Sequence, residues 1–172
     1  MDFFEVVAKR QSVRSYAEYA VEKEKLDGIL AAANEAPSAG NLQAYEIFVA
    51  RKREHLAALA AAALSQDFIA RAPAALVFCA HPARAAGRYG ERGMRLYALQ
   101  DATIACTYAM LAATALGLAT VWIGAFNDDA VRRVLRVPED ILPAAILAIG
   151  YAAEKPLRTP RRLIDDLVHE LA

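Results

Sequence analysis

The sequence predicts an α+β fold in which helices pack against one small sheet. Three observations lead there. Four short apolar runs alternate with segments whose apolar residues recur at helical spacing. No repeat, linker or low-complexity stretch divides the chain. At 172 residues it suits one domain, and folding at this size removes roughly 70% of the unfolded chain's surface from water, enough for a core without staples.

The elements follow in order. Asp2 with Glu5 marks a helix start, because each side chain can satisfy the other's backbone N–H. Phe3, Phe4 and Val7 supply its apolar face, and it should stop near Gln11, before Val13 and Tyr16. Leu26, Ile29, Leu30 and Ala33 share one face of a second helix over 22–34, ended by Pro37. Residues 45–50 read as a strand, 51–64 as an alanine-rich helix, and 74–80, bounded by Pro73 and Pro82, as another strand. Residues 84–95 form a basic, glycine-containing stretch around Tyr89. A long helix over 94–116 comes next, with Gly117 just past its end, where a left-handed backbone is wanted. Thr120, Val121, Trp122 and Ile123 make 119–123 a strand. Asn127 caps a helix running to about Leu135, and 144–152 is the last strand. Lys155, Arg158, Arg161 and Arg162 make the tail basic ahead of a short amphipathic helix through Leu163, Leu167 and Val168.

Composition narrows the function. The apolar fraction is 57%, high for a soluble domain; much of it is alanine, and it points to surface buried between subunits. Basic and acidic residues number 20 each, so no broad nucleic-acid footprint is expected. Residues 102–126 carry no charge, a length that can span a bilayer. Gly117 divides that run, however, and it is rich in Ala, Thr and Gly, so a core or subunit-interface helix is expected instead. Cys79 and Cys106 stand far apart in apolar surroundings, which argues against a disulfide framework or zinc site and predicts buried, inert thiols. The opening Met-Asp-Phe-Phe-Glu lacks a signal-peptide pattern, so a cytoplasmic location is expected. His55, His81 and His169 are scattered, the first and last on helices, and no metal spacing appears. Ser38 before Gly40 is half a nucleophile elbow without its first glycine or a leading strand.

Three short segments carry chemistry. Arg10-x-Ser12-x-Arg14 puts two cations and a hydroxyl on one face of an extended segment. The planar guanidinium fork suits a phosphate. Pro37-Ser38-Ala39-Gly40-Asn41-x-Gln43 lets backbone approach a flat ring, while its carboxamides offer donors and acceptors to a heteroaromatic edge. Trp122-Ile123-Gly124 ends a strand ahead of a helix start. Arg161-Arg162 after Pro160 adds a second basic pair.

In this order the segments resemble the nitroreductase family of FMN-dependent enzymes, over nearly the whole chain. The resemblance implies a nitroreductase-like fold, a small, mostly antiparallel sheet flanked by helices in an intertwined homodimer, with the uncharged helix at 102–116 in the interface. It implies FMN as cofactor, with NAD(P)H and a nitroaromatic or quinone-type acceptor as alternating substrates in a ping-pong cycle. Arg10 and Ser12 match the phosphate and ribityl contacts. Arg14 matches the cation near flavin N1, where negative charge develops on reduction. Pro37, Ser38 and Ala39 match a loop reaching the flavin of the partner subunit, and Asn41 and Gln43 match polar contacts to ring and ribityl. Ile123 and Gly124 match the strand end whose backbone N–H, from Gly124, donates to flavin N5. Arg161 or Arg162 closes the phosphate site. No side chain is implied as nucleophile, acid or base.

The chain departs from the family in places. Ala44-Tyr45 stands where many members have Pro-Trp, and Ile123 where an acid is common. The chain is short, which leaves 84–95 as the only candidate lid; Arg88, Arg92 and Arg95 there could read a 2′-phosphate. No GxGxxG occurs, so NAD(P)H is expected to bind transiently. The rival readings are a specialised branch of the same fold (reductive dehalogenation or flavin fragmentation), a flavin-binding dimer without turnover, and a helical dimer without cofactor.

Overall fold

The structure, a computed structural model, describes residues 1–171. Four strands, β1 (Tyr45–Ala50), β2 (Ala74–Ala80), β3 (Ala119–Ile123) and β4 (Leu142–Gly150), form one sheet in the order β1-β2-β4-β3. Every neighbouring pair is antiparallel. The inner strands β2 and β4 are almost wholly buried. Both of their faces are covered, so they read as continuous apolar runs rather than as alternation.

Side chains alternate between two cores. Leu76, Phe78, Leu147 and Ile149 point to one face, against Leu26 and Ile29 of α2 (Lys23–Asn34) and the alanines of α6 (Ala98–Ala115). Val77, Ile146, Ala148 and Val121 point to the other, against α3 (Arg53–Ala62), the short α4 (Phe68–Arg71) and α7 (Asp128–Leu135). Small residues on α6, among them Ala102, Ala105 and Ala109, bring it close to the sheet, while Leu99 and Tyr108 on the helix and Leu116 just past its end stay exposed. No helix among the described residues is long and apolar enough to cross a membrane.

The capping signals hold. Asp2 and Glu5 form the reciprocal cap of α1 (Phe3–Lys9), with bonds of 2.9 and 3.1 Å. Asn127 Oδ1 accepts from Ala130 N–H at 2.8 Å. Gly117, at φ 78°, ends α6, and Leu118 N–H reaches back to the Ala113 carbonyl at 2.9 Å.

The structure departs from the sequence reading in four places. Residues 84–95 are helical: they lie in α5 (Pro82–Arg92), broken at Gly90, and in a π-helical turn Gly93–Tyr97 that leads into α6. Gly93 makes this possible, since a Cβ there would sit 2.6 Å from the Ala85 carbonyl oxygen. The apolar face expected of α1 is not covered: Val6 is buried, whereas Phe3 and Phe4 are 64% and 81% exposed. The tail helix reduces to one 3-10 turn, Ile164–Asp166, with Leu163, Leu167 and Val168 exposed and His169 in irregular backbone beyond it. Without apolar surface to pack on, so short a helix does not hold. Short α4 was not expected at all, being too brief to show a period.

Candidate active site

The segment after α1 runs along the outer edge of β3. Val13 N–H donates to the Thr120 carbonyl at 3.0 Å, and Ser12 bridges Thr120 in parallel sense. Further on, Ala17 N–H donates to the Tyr151 carbonyl and Ala153 N–H to that of Ser15, each at 2.9 Å. Val13 points into the core, so its neighbours Ser12 and Arg14 point out. Tyr16 fixes the segment from below, its hydroxyl donating to Val13 O at 2.8 Å and Ala148 O at 3.3 Å. Burial raises the pKa of that phenol, which keeps it a donor.

Arg10, Ser12, Arg14, Arg158 and Arg161 line one cavity of about 750 Å³, with Phe4 and Val7 on its apolar side. The one acid in the lining, Glu154, is already engaged: its Oε1 accepts from the N–H groups of Arg14 and Ser15 at 2.6 and 3.0 Å. The Arg14 guanidinium lies over the Phe68 ring, 5.9 Å from its centroid. Arg162 is not in this lining; its Nη2 donates to the Asp166 carbonyl at 2.7 Å. Gly124 stands exposed one residue past the end of β3, with Ile123 buried beneath. Four residue steps along the strand separate it from Thr120, a span of about 13 Å.

The loop at 37–43 lies elsewhere. It precedes β1, and β1 is the opposite edge of the sheet from β3. Three strand spacings, roughly 14 Å, separate the two edges. Ser38 Oγ accepts from Gln43 N–H at 3.0 Å, and Gln43 Nε2 donates to Asn41 Oδ1 at 2.7 Å. Pro37 and Asn41 are exposed; Ser38, Ala39 and Gln43 are partly so. One chain therefore assembles Arg10, Ser12, Arg14, Arg161, Ile123 and Gly124 along one edge and the 37–43 loop along the other.

Helix α5 is docked on that loop and contributes nothing to the arginine-lined cavity. The basic residues here have partners: Arg88 and Arg92 of α5 reach the Gly40 carbonyl and the Tyr97 hydroxyl, and Arg95 of the π turn reaches the Glu91 carboxylate. Three residues that sequence reasoning passed over shape the site: Glu154, Arg84 and Asp101. Each acts through backbone far away in the chain, so no local pattern marks it. Cys79 and Cys106 are buried, and burial pushes the Cys79 thiol up to about 12 and raises that of Cys106 as well. Both are far from nucleophilic.

The comparisons with known proteins agree with this geometry. The sequence model of the nitroreductase family matches residues 7–66 and 56–151. The NAD(P)H FMN reductase of Bacillus subtilis is 33% identical over 164 residues, covering 88% of this chain and 66% of that protein. An NADH dehydrogenase of Thermus thermophilus is 30% identical over 187 residues, covering 93% of this chain and 91% of that one. The structure of B. megaterium NfrA2 superposes with a TM-score of 0.91 at 30% identity, covering all of this chain (100%) and 75% of the other. With an antiparallel four-stranded sheet of the same architecture and a sequence match across most of its length, the chain belongs to the nitroreductase family.

Proposed function

We propose that this protein is an FMN-dependent oxidoreductase that passes hydride from NAD(P)H to nitroaromatic or quinone-type acceptors by a ping-pong mechanism, as a homodimer. The observation that carries the reading is the file of groups along the outer edge of β3, with guanidiniums and a hydroxyl at one end and an exposed glycine backbone at the other. The donor set fits FMN. Arg10, Arg14 and Arg161 offer forks to a phosphate, Ser12 suits a sugar alcohol, and Gly124 lets a flat ring lie against backbone. A volume of about 750 Å³ is in the range of cofactor clefts.

When bound, FMN supplies the two-electron chemistry, taking hydride from one substrate and giving it to the next. The chain's own groups bind and orient. Arg10, Ser12 and Arg161 would hold the phosphate end. Arg14 would place a cation beside the ring edge where negative charge grows, and Phe68 steadies it. Gly124 N–H would set the ring from the strand end. Since Asn41 and Gln43 stand on the opposite edge of their own sheet, they would meet a ring held by a second copy, which is what supports the dimer. Exposed Leu99 and Tyr108 on α6, with Leu116 just past its end, would supply apolar surface for that contact.

The test is an absorption spectrum of the purified protein followed by anaerobic addition of NADH and NADPH. Flavin bands that bleach support the reading. Bands that persist favour a flavin-binding dimer without turnover, and no bands after FMN is added back overturn it.

A further inference from the structure

Asp101 sits in the first turn of α6 and is only 2% exposed. A buried carboxylate needs hydrogen bonds to be tolerated. Its two oxygens reach the two ends of one loop: Oδ1 accepts from Ala39 N–H at 2.9 Å, and Oδ2 from Ala44 N–H at 3.3 Å. Neither oxygen has a cation partner among the described residues.

The loop between these anchors does not choose its own shape. Gly40 and Asn41 have φ of 57° and Gln43 of 45°, a region that residues with a Cβ avoid. Outside contacts must hold it there. Asp101 takes N–H groups from one side, and α5 takes carbonyls from the other. Arg84 Nη1 donates to Gln43 O at 2.6 Å, Arg88 Nη1 donates to Gly40 O at 3.2 Å, and these arginines are one helical turn apart. Arg84 is itself aimed by Glu46 at 2.6 Å. The fit leaves no slack, since a Cβ on Gly40 would meet Tyr89 Oη at 2.5 Å and Arg88 Nη1 at 2.7 Å. Inside the clamp, the bond from Gln43 Nε2 to Asn41 Oδ1 leaves Asn41 Nδ2 and Gln43 Oε1, a donor beside an acceptor.

We propose that Asp101 is a positioning residue for this loop, opposed by Arg84 and Arg88, and that the clamp presets Asn41 and Gln43 as a donor–acceptor pair for the polar edge of a flat heteroaromatic ring. The role rests on the reading that this loop faces FMN. It assigns work to the helical segment 82–97 as well: holding the loop rather than covering the pocket. An interaction already made before the ligand arrives costs nothing at binding, so loosening the clamp weakens affinity without touching a ligand contact.

The experiment compares wild type, D101N, R84Q and the R84Q/R88Q pair by FMN titration, by the absorption spectrum and midpoint potential of the bound flavin, and by amide hydrogen exchange of Ala39 and Ala44 without FMN. In D101N an amide N–H faces one of the two backbone donors, so one anchor is lost. The expected result is faster exchange at Ala39 or Ala44, a roughly tenfold weaker FMN affinity, and a shifted flavin spectrum and potential. R84Q/R88Q, whose side chains are exposed, should reproduce the spectral shift if D101N folds poorly. D101N/R84Q should fall short of the summed single effects, because both residues hold one loop. Wild type that binds FMN, alongside variants with unchanged affinity, spectrum and potential, would overturn the role alone. Wild type that binds no FMN would overturn the flavin reading and the role with it.

Discussion

Arg161 and Arg162 are neighbours of identical chemistry, and the fold separates them. Arg161 lines the cavity with Arg10, Ser12 and Arg14, and its Nη1 makes only long bonds of 3.3 and 3.5 Å to the carbonyls of Thr159 and Pro160. A phosphate would displace both. Arg162 is committed to the Asp166 carbonyl at 2.7 Å. A hydrogen bond to a charged group is worth roughly 1.5–3 kcal/mol. Arg161 stands on an exposed tail, however, where screening and the ordering of a long side chain leave about 1 kcal/mol. R161A should therefore raise the Kd for FMN about fivefold. R10A, whose side chain is half-buried, should raise it by roughly tenfold to a hundredfold. R162A should change it less than about twofold. Fluorescence titration of FMN at low and high salt measures all three. The gap between wild type and R161A should narrow as the screening length falls from about 10 Å at 0.1 M to about 3 Å at 1 M. A larger loss in R162A than in R161A, or an affinity indifferent to all three changes, would refute the placement of phosphate in this cavity.

Other outcomes follow from the same geometry. G93A places a Cβ 2.6 Å from the Ala85 carbonyl oxygen and 2.7 Å from Tyr89 Cβ; the backbone must shift, at about 1–3 kcal/mol, and melting should fall by roughly 3–10 °C, so an unchanged melt would contradict the packing of the π turn on α5. Burial raises the Cys79 thiol from 9.0 to about 12 and raises Cys106 too. Unfolding therefore releases protons above pH ~9, and stability complete below that pH is lost as pH rises toward ~12, by about 1.4 kcal/mol per pH unit per thiol; a melting temperature flat to pH ~11 would count against buried thiols. A thiol reagent should label neither cysteine in the native protein and both after denaturation. A hybrid dimer of one R14A chain and one D101N chain should recover one intact site, because the sound arginine edge of the second chain meets the sound loop of the first. Two impaired sites and no recovery would show that each loop serves its own chain.

What could be read from the chain depended on whether the cause was local. The inner strands were legible because both faces are buried, and Asp2, Asn127 and Gly117 announced helix ends because capping is chemistry between near neighbours. Arg10, Ser12 and Arg14 were legible as a group because extended backbone sends alternate residues the same way. Helix α5 was not, since Gly87, Gly90 and Gly93 argue against a helix until Gly93 is seen packed on Ala85. Asp101 was invisible as an anchor because its partners lie 62 and 57 residues away, and the choice between Arg161 and Arg162 rests on which way a tail turns. The face of α1 was legible as apolar, but not that its own chain leaves Phe3 and Phe4 exposed.

In the proposed dimer the two halves of the binding surface lie on opposite margins of each sheet, which would tie chemistry to abundance. A pocket completed by a second copy would exist only in the associated form, so whatever fills it would drive association, by about 2.7 kcal/mol when present at 100 times its dissociation constant. The proposed cofactor would then behave as a cohesive agent, and dilution should strip colour from the protein even with free flavin held constant. Activity should rise faster than linearly with chain concentration until the pairs saturate. A cell short of flavin would hold subunits that are folded but apart, ready to pair when the supply returns.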